Sequence, residues 1–141
     1  MDYRIATTDD LQPLAEWNHQ LIPDECHRNP MDIPQLRERM RGWITTGGYT
    51  AIIFEEDGQA VAYALYREDT IEIYLRQLFV MRHLRRKGIG RRAVEILKTQ
   101  LWPQTKRLTV EVLTQNQFAI AFWRAMGYQD YSLALEILPR R

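Results

Sequence analysis

The chain has 141 residues, of which 45% are hydrophobic and 26% are charged, a composition typical of an ordinary globular domain. The formal net charge of +1 gives no support for a nucleic-acid or membrane partner. Cys26 is the only cysteine, which excludes an internal disulfide, and no apolar run is long enough to span a bilayer. The N-terminus lacks the apolar segment of a signal peptide, so we expect one cytoplasmic domain over residues 1–141.

The pattern of apolar residues predicts elements in the order β-α-α-β-β-β-α-β-α-β. A strand at residues 3–6 precedes a helix that follows the capping-box pair Thr7 and Asp10, and a second helix begins near Asp32. Short turns join the next three strands, which are therefore predicted to be antiparallel neighbours. The remaining predicted elements, in order, are strands at 49–54, 60–67 and 71–81, a helix at 90–102, a strand at 108–113, a helix at 116–126 and a strand at 128–138.

The most informative stretch covers residues 78–93, where an apolar strand passes through a basic cluster into a helix. Gly88 and Gly90 lie in the turn, and glycine lets backbone N–H groups come close to a ligand phosphate. The helix that follows points its free N–H groups and the positive end of its dipole at the same place. The turn is therefore predicted to bind a pyrophosphate. Three neighbouring side chains add positive charge: Arg85, Arg86 and Lys87.

Two known kinds of phosphate-binding turn fit this stretch poorly. A P-loop needs Lys followed by Ser or Thr after its last glycine, whereas Gly90 is followed by two arginines. Residues 88–93 do match the dinucleotide fingerprint G-x-G-x-x-A, with Glu111 at about the right distance for a ribose contact. That fingerprint belongs to parallel βαβ units, however, and the strands before this turn are predicted to be antiparallel.

Residues 85–90 also fit the pattern Gln/Arg-x-x-Gly-x-Gly/Ala, and a second motif follows farther along the chain. The chain thereby resembles the GNAT superfamily of acetyl-CoA-dependent N-acetyltransferases, most clearly over residues 71–138. The resemblance implies an α+β domain, similar to an α/β sandwich, with a mixed and mostly antiparallel sheet of six to seven strands and helices on both faces. The residues that fall on the family's Asn-x-x-Ala-x-x-Phe/Leu-Tyr-x-x-x-Gly-Phe element are Asn116, Ala119, Phe122, Gly127 and Tyr128.

The resemblance implies that acetyl-CoA is the cosubstrate and lies between two strands that splay apart, one ending at Val80 and one beginning near Leu108. The backbone of residues 78–80 would bind the pantetheine arm as an added strand binds a sheet edge. Asn116 would contact the pantetheine or fix the local backbone, and Phe122 would pack along the cofactor. The cofactor-binding residues implied in this way are Leu78, Phe79, Val80, Arg85, Arg86, Lys87, Gly88, Ile89, Gly90, Arg91, Asn116 and Phe122.

In the implied reaction a neutral amine attacks the thioester carbonyl directly, while backbone N–H groups near residues 78 and 80 polarise that carbonyl. The family's usual tyrosine, which donates to the leaving thiolate, would fall where this chain has Trp123, so Tyr128 and Tyr131 are the possible substitutes. Glu72 is the only carboxylate on the strand before the glycine turn and shares a face with Tyr74. Glu72, Tyr74 and Tyr128 are therefore the candidate catalytic residues.

The family builds its acceptor pocket partly from the loop between the first two helices. The acidic rim of this loop would suit a cationic amine on a small molecule or peptide, and the loop supplies Asp24, Glu25, His27 and Asp32. The three histidines lack metal-ligand spacing, so we expect no metal. Family members often pair, so a homodimer is an expectation.

Two other functions stay open. Trp123 at the tyrosine position and the distant Glu72 suggest a CoA-binding module without catalysis. The basic cluster at residues 82–92 suggests a nucleic-acid-binding domain, although the small net charge argues against it.

Overall fold

The computed structural model describes residues 1–140, so Arg141, at the end of the expected tail, lies outside the described residues. Five strands form one sheet in the order β1-β2-β3-β4-β5; β1–β4 pair antiparallel and β4 and β5 pair parallel. No helix of residues 1–140 is long and apolar enough to cross a membrane. The strands are β1 Asp2–Ile5, β2 Tyr49–Glu56, β3 Gln59–Glu68, β4 Glu72–Val80 and β5 Arg107–Thr109, and the helices are α1 Leu11–Asp24, α2 Ile33–Thr45, α3 Ile89–Ile96 and α4 Gln117–Ala125.

Local sequence signals start the first two helices where they are predicted to start. Thr7 and Asp10 form a capping box on a short 3-10 turn that leads into α1. Asp32 caps α2 in the same way, and a proline occupies the first turn of α2, where its missing N–H costs nothing. Because α1 continues past Pro23, it carries Asp24 on its last turn instead of in the following loop.

Apolar side chains cover both faces of the sheet. One face packs against α1 and α2 through side chains such as Leu14, Met40 and Tyr63. The other face packs against α3 through side chains such as Ile73 and Ala93. Each large apolar side chain that is fully buried contributes about 1.5–3 kcal/mol, so these two layers hold the sheet between the helices. Helices on both faces and a mixed, mostly antiparallel sheet are thereby confirmed.

The expected count of six to seven strands is wrong, because the C-terminal segment does not join the sheet. Residues 129–140 make no backbone–backbone hydrogen bond within the described part of the chain, and residues 131–140 are exposed. Their alternating apolar residues have the pattern of a strand but no partner edge, and a strand needs one. The exposed apolar side chains of this segment are Tyr131, Leu133, Leu135, Ile137 and Leu138.

The last two strands separate soon after they meet, and this separation positions the site. β4 and β5 pair over only three residue pairs, at the start of each strand, so the rest of β4 has one open edge. On its other edge β4 pairs with β3 as far as Val80, with a register shift that leaves Arg76 as the extra residue of a β-bulge. We call the space along the open edge of β4, residues 75–80, the notch.

Candidate active site

The open edge of β4 presents backbone donors to the notch. The N–H of Met81 donates to the carbonyl of Val61 at 3.0 Å, toward β3. Because successive residues of a strand point their N–H groups in opposite directions, the N–H groups of Leu78 and Val80 point into the notch. Neither makes a hydrogen bond across the notch within the described residues. Two backbone donors therefore line the space where the resemblance implies pantetheine.

The turn between β4 and α3 is open as well. Arg86 and Gly88 both adopt the left-handed conformation, with φ of 66° and 78°, which suits glycine but is uncommon for arginine. No backbone N–H of residues 86–91 donates to a backbone carbonyl within residues 1–140. A Cβ added to Gly88 would meet no atom within 4 Å, so no described side chain fills the turn at this point. Successive free N–H groups in such a turn, next to a helix N-terminus, form a concavity that suits an anion.

Arg85 connects this turn to β4 and to α1. Its Nε donates to the carbonyl oxygen of Val80 at 3.0 Å, and its Nη2 donates to Asp24 at 2.9 Å. Arg82 donates to the same carboxylate at 2.8 Å. Burial opposes ionisation of Asp24, but the hydrogen bonds from the two guanidinium groups bring its pKa below the usual value. Asp24 is therefore a fixed negative charge that anchors the basic turn to the end of α1.

The other residues predicted to bind the cofactor fall into three groups. Arg86, Lys87 and Arg91 are exposed and make no ion pair with any residue in 1–140. Ile89 is buried in the core, so only its backbone can serve a ligand. Phe79 is buried in the core on the face of the sheet that packs against α1 and α2, and the Arg85 guanidinium lies 5.2 Å from the centre of its ring.

The start and middle of α4 complete the boundary of the notch. The side chain of Asn116 accepts a hydrogen bond from the N–H of Ala119 at 3.2 Å, so it fixes the local backbone, one of its two predicted roles. A Cβ built on Gly90 would lie 3.6 Å from the ring of Phe122 and 3.6 Å from Cγ2 of Val80. The glycine turn, the end of β4 and the middle of α4 therefore meet at one point.

The candidate catalytic residues lie in different surroundings. Glu72 accepts a hydrogen bond from Arg107 at 2.6 Å and is about 20 Å from Leu78 along β4. Tyr74 is half-buried, and burial raises its pKa. The hydroxyl oxygen of Tyr128 is buried and has no hydrogen-bond partner within residues 1–140, and burial raises its pKa to about 12.

Tyr128 lies close to the notch wall through two aromatic contacts. Its ring makes an edge contact with the ring of Trp123 at 5.3 Å between centres, and Trp123 makes a similar contact with Phe122 at 4.9 Å. The structure thus connects Tyr128 to the wall formed by Phe122, and it keeps Glu72 away at the far end of β4.

Glu25 is a functional candidate that sequence reasoning assigned only to the acceptor rim. Its side chain is 29% exposed, and a carboxylate oxygen lies 3.7 Å from Nε2 of His27. Burial, followed by the negative charge of Asp24, raises the pKa of Glu25 to about 7. Burial and then the charge of Glu25 also raise the pKa of Tyr63, whose hydroxyl donates to Gln77 on β4 at 2.8 Å. Glu25 lies at the C-terminus of α1, directly after Asp24, which pairs with Arg82 and Arg85 of the basic turn, and no local sequence signal marks it.

Comparison with known proteins identifies the family. The family model described as the acetyltransferase (GNAT) family matches residues 11–128. The chain therefore belongs to the GNAT family and is an acyltransferase, which confirms the resemblance inferred from its two motifs. No curated protein sequence matches the chain significantly.

Solved structures share this fold over nearly the whole chain. A mutant of the BH1408 protein from Bacillus halodurans has a TM-score of 0.79 at 21% identity, covering 99% of this chain and 100% of that one. A possible acetyltransferase from Clostridium difficile 630 has a TM-score of 0.80 at 17% identity, covering 99% and 98%. The aminoglycoside N-acetyltransferase AAC(6')-Iy in complex with CoA has a TM-score of 0.76 at 13% identity, covering 99% and 95%. At these identities the likeness concerns the fold alone.

Proposed function

We propose that this protein is an N-acetyltransferase that moves the acetyl group of acetyl-CoA to an amine of a small molecule or peptide. The amine attacks directly within a ternary complex, and residues 1–141 act as one such domain without a metal. The observation that carries the proposal is the row of unbonded N–H groups from Leu78 and Val80 to residues 86–91. This row suits a ligand with a long amide-containing arm that ends in a pyrophosphate, and the similar fold of a protein solved with CoA supports it.

Acetyl-CoA suits this row of N–H groups in one orientation, with its pantetheine arm along β4 and its pyrophosphate in the glycine turn. The pantetheine arm lies along the open edge of β4, between Val80 and the ring of Phe122. The pyrophosphate takes the free N–H groups of the glycine turn, and the exposed Arg86, Lys87 and Arg91 surround it with positive charge. The N–H of Leu78 then polarises the thioester carbonyl, because a preorganised backbone donor stabilises the negative charge that develops on that oxygen.

Two described residues suit the removal of the amine proton and the stabilisation of the leaving thiolate. The attacking amine must lose a proton, and Glu25, with a pKa of about 7, is suited to accept it near neutral pH. The buried hydroxyl of Tyr128 keeps its proton and has no other partner in the described chain, so it is suited to donate a hydrogen bond to the thiolate. Glu72 and Tyr74 stay predictions; the ion pair of Glu72 with Arg107 makes it the weaker candidate for the base.

A test of the function mixes the protein with acetyl-CoA and an amine panel and follows the release of free thiol. The panel contains amino acids, a dipeptide, lysine, spermidine, phosphoethanolamine and an aminoglycoside. We expect turnover of at least one amine and micromolar binding of CoA by calorimetry. Binding of CoA without turnover of any amine would favour the CoA-binding module, and absence of CoA binding would overturn the proposal.

The cellular compartment and the oligomeric state are proposals as well. The exposed thiol of Cys26 suits a reducing compartment, so we place the enzyme in the cytoplasm. The C-terminal segment exposes a strand-like row of apolar side chains, and β5 is an edge strand. In the proposed homodimer, the C-terminal segment of each copy pairs with β5 of the other copy and extends its sheet, and the two-fold symmetry closes the assembly. Sedimentation should then show a dimer for the full chain and a monomer for a chain ending at Asp130; a monomeric full chain would refute the pairing.

A further inference from the structure

A second group of polar side chains lies between α2 and the bulge of β4, at the end of the notch away from the glycine turn. Arg76 is the extra residue of the bulge, and Arg39 lies on α2. The guanidinium carbons of Arg39 and Arg76 are 4.3 Å and 4.6 Å from the centre of the Trp43 ring. Arg76 also donates to the hydroxyl of Tyr49 at 3.3 Å. The two guanidinium groups that stack on this indole ring are therefore within about 9 Å of each other.

No carboxylate within residues 1–140 balances these two charges. None of the ion pairs in the described chain includes Arg39 or Arg76. Arg39 donates from Nη2 to the neutral side chain of Asn18 at 3.2 Å, and its buried Nε has no hydrogen-bond partner there. An unsatisfied buried donor beside a second like charge is unfavourable, and an anion bound at this place would relieve both problems.

The pKa values of the neighbouring titratable groups reflect the same two positive charges. Burial first and then the charge of Arg76 lower the pKa of Arg39. Burial, followed by the charges of Arg76 and Arg39, lowers the pKa of His27, which favours its neutral form. Glu25 lies 3.7 Å from His27, and burial together with Asp24 raises its own pKa, so it does not act as a permanent counter-ion. The electrostatic potential between α2 and β4 is therefore positive.

We propose that Arg39 and Arg76 form an anion-binding subsite that holds a carboxylate or phosphate group of the amine acceptor. This inference rests on the proposed acetyltransferase function, whose acceptor class it narrows to small amines that carry an acidic group. A guanidinium fork matches the geometry of both anions. Arg76 is two residues from Leu78, about 7 Å along the strand, so the acidic group and the reacting amine lie only a few bonds apart.

The acidic side chains at the end of α1 and in the loop that follows it do not favour the opposite choice, a polycationic acceptor. Asp24, on the last turn of α1, forms ion pairs with Arg82 and Arg85, so these two arginines already balance its charge. The expected attraction of the loop for a cation is thereby reduced. The uncompensated arginine pair is the stronger electrostatic feature at this end of the notch.

Matched pairs of amines test the subsite by release of free thiol from acetyl-CoA. Each amino acid is compared with its decarboxylated amine, for example phenylalanine with phenethylamine, and phosphoethanolamine is compared with ethanolamine. We expect kcat/KM to favour an acidic member by about 10-fold or more, since a charge-assisted hydrogen bond discriminates by this amount. The favoured series, carboxylate or phosphate, identifies the anion. Preference for the amines without acidic groups, for spermidine or for the aminoglycoside would overturn the subsite and leave the acetyltransferase function standing.

Substitutions at the two arginines give an independent test. Arg39→Gln and Arg76→Gln should each raise KM for the favoured acidic amine by about 10- to 100-fold, with little change for its counterpart without the acidic group. Calorimetry should show the same loss of acceptor affinity in the CoA-loaded protein, and unchanged affinity for CoA itself. Arg41→Gln is the matched control, because Arg41 lies on the same helix and pairs with Glu38 at the surface.

Lysine variants keep the test informative if a glutamine variant folds poorly. Arg39→Lys and Arg76→Lys retain the charge but lose the planar fork, so we expect an intermediate KM. Unchanged KM for the acidic amine in the glutamine variants, or an equal loss for both members of a pair, would overturn the subsite. If the unsubstituted protein does not bind CoA at all, the proposed function itself fails.

Discussion

Replacing Gly88 with alanine tests whether the glycine turn binds CoA. Gly88 caps α3 with φ of 78°, in the left-handed region, where a residue other than glycine costs about 1–2 kcal/mol. The added methyl group would meet no atom within 4 Å, so the backbone conformation is the source of the strain. Gly88→Ala should therefore lower the free energy of unfolding by about 1–2 kcal/mol and leave the protein folded.

The same methyl group would lie in the open turn where the pyrophosphate is proposed to bind, and it would displace the phosphate from at least one backbone N–H group. Loss of one charge-assisted hydrogen bond to the pyrophosphate costs about 1.5–3 kcal/mol, which corresponds to a rise in Kd of roughly 10- to 150-fold. Calorimetric titration with CoA measures this change, and urea unfolding of the same sample measures stability.

Gly58→Ala is the matched control for Gly88→Ala. Gly58 lies in the turn between β2 and β3, also with φ of 78°, and a Cβ added there would meet no atom within 4 Å. The control should therefore lose similar stability without any change in CoA affinity. The placement of the cosubstrate in the glycine turn would be refuted if Gly88→Ala were as stable as expected and bound CoA with an unchanged Kd.

Three further predictions concern proton transfer and the anchoring of the turn. Burial and Asp24 raise the pKa of Glu25 from 4.5 to about 7, so between these pH values the native carboxyl keeps a proton that the unfolded chain releases, and stability falls as pH rises through this window. Glu25→Gln should therefore match the unsubstituted protein at pH 4 and exceed it by up to about 3 kcal/mol at pH 8 in urea unfolding; equal stability at pH 8 would contradict the burial of this charge. Tyr128→Phe should lower kcat by about 10-fold or more without loss of stability, because its hydroxyl has no partner in the described chain, whereas the exposed Tyr131→Phe should change neither; equal kcat values would remove Tyr128 as the donor. Asp24→Asn should weaken CoA binding about fivefold by releasing two arginines next to the turn, while Asp130→Asn, which breaks an exposed ion pair, should not; the same Kd in both variants would show that the anchor is dispensable.

The fold is predictable from sequence where the deciding signal is local. Asp32 with its capping box and Gly88 with its left-handed backbone mark helix starts within a few residues, and short turns require the antiparallel meander. The C-terminal segment shows the limit of this reasoning. Alternation from Tyr131 to Ile137 indicates which side chains share a face, but pairing depends on whether a sheet edge is available, which is a property of the tertiary structure.

The same distinction applies to the site. The glycine turn is contiguous in sequence, so its residues can be recognised together. Arg39 and Arg76 are far apart in the chain and meet only because α2 packs beside β4 and because a bulge displaces Arg76. The bulge carries no glycine or other local marker. Glu25 likewise owes its raised pKa to burial and to Asp24 on the last turn of α1, neither of which the sequence pattern shows.

The most direct test of CoA binding along β4 and the glycine turn is a titration of 15N-labelled protein with CoA, followed through the backbone amide resonances. We expect the N–H resonances of Leu78, Val80 and residues 86–91 to shift together and to saturate with a single Kd, because these donors are free in the structure. Amides of β1 and β2, on the opposite side of the sheet order, should shift little. Resonances at the notch and the turn that stay unchanged at saturating CoA would contradict the proposed binding mode.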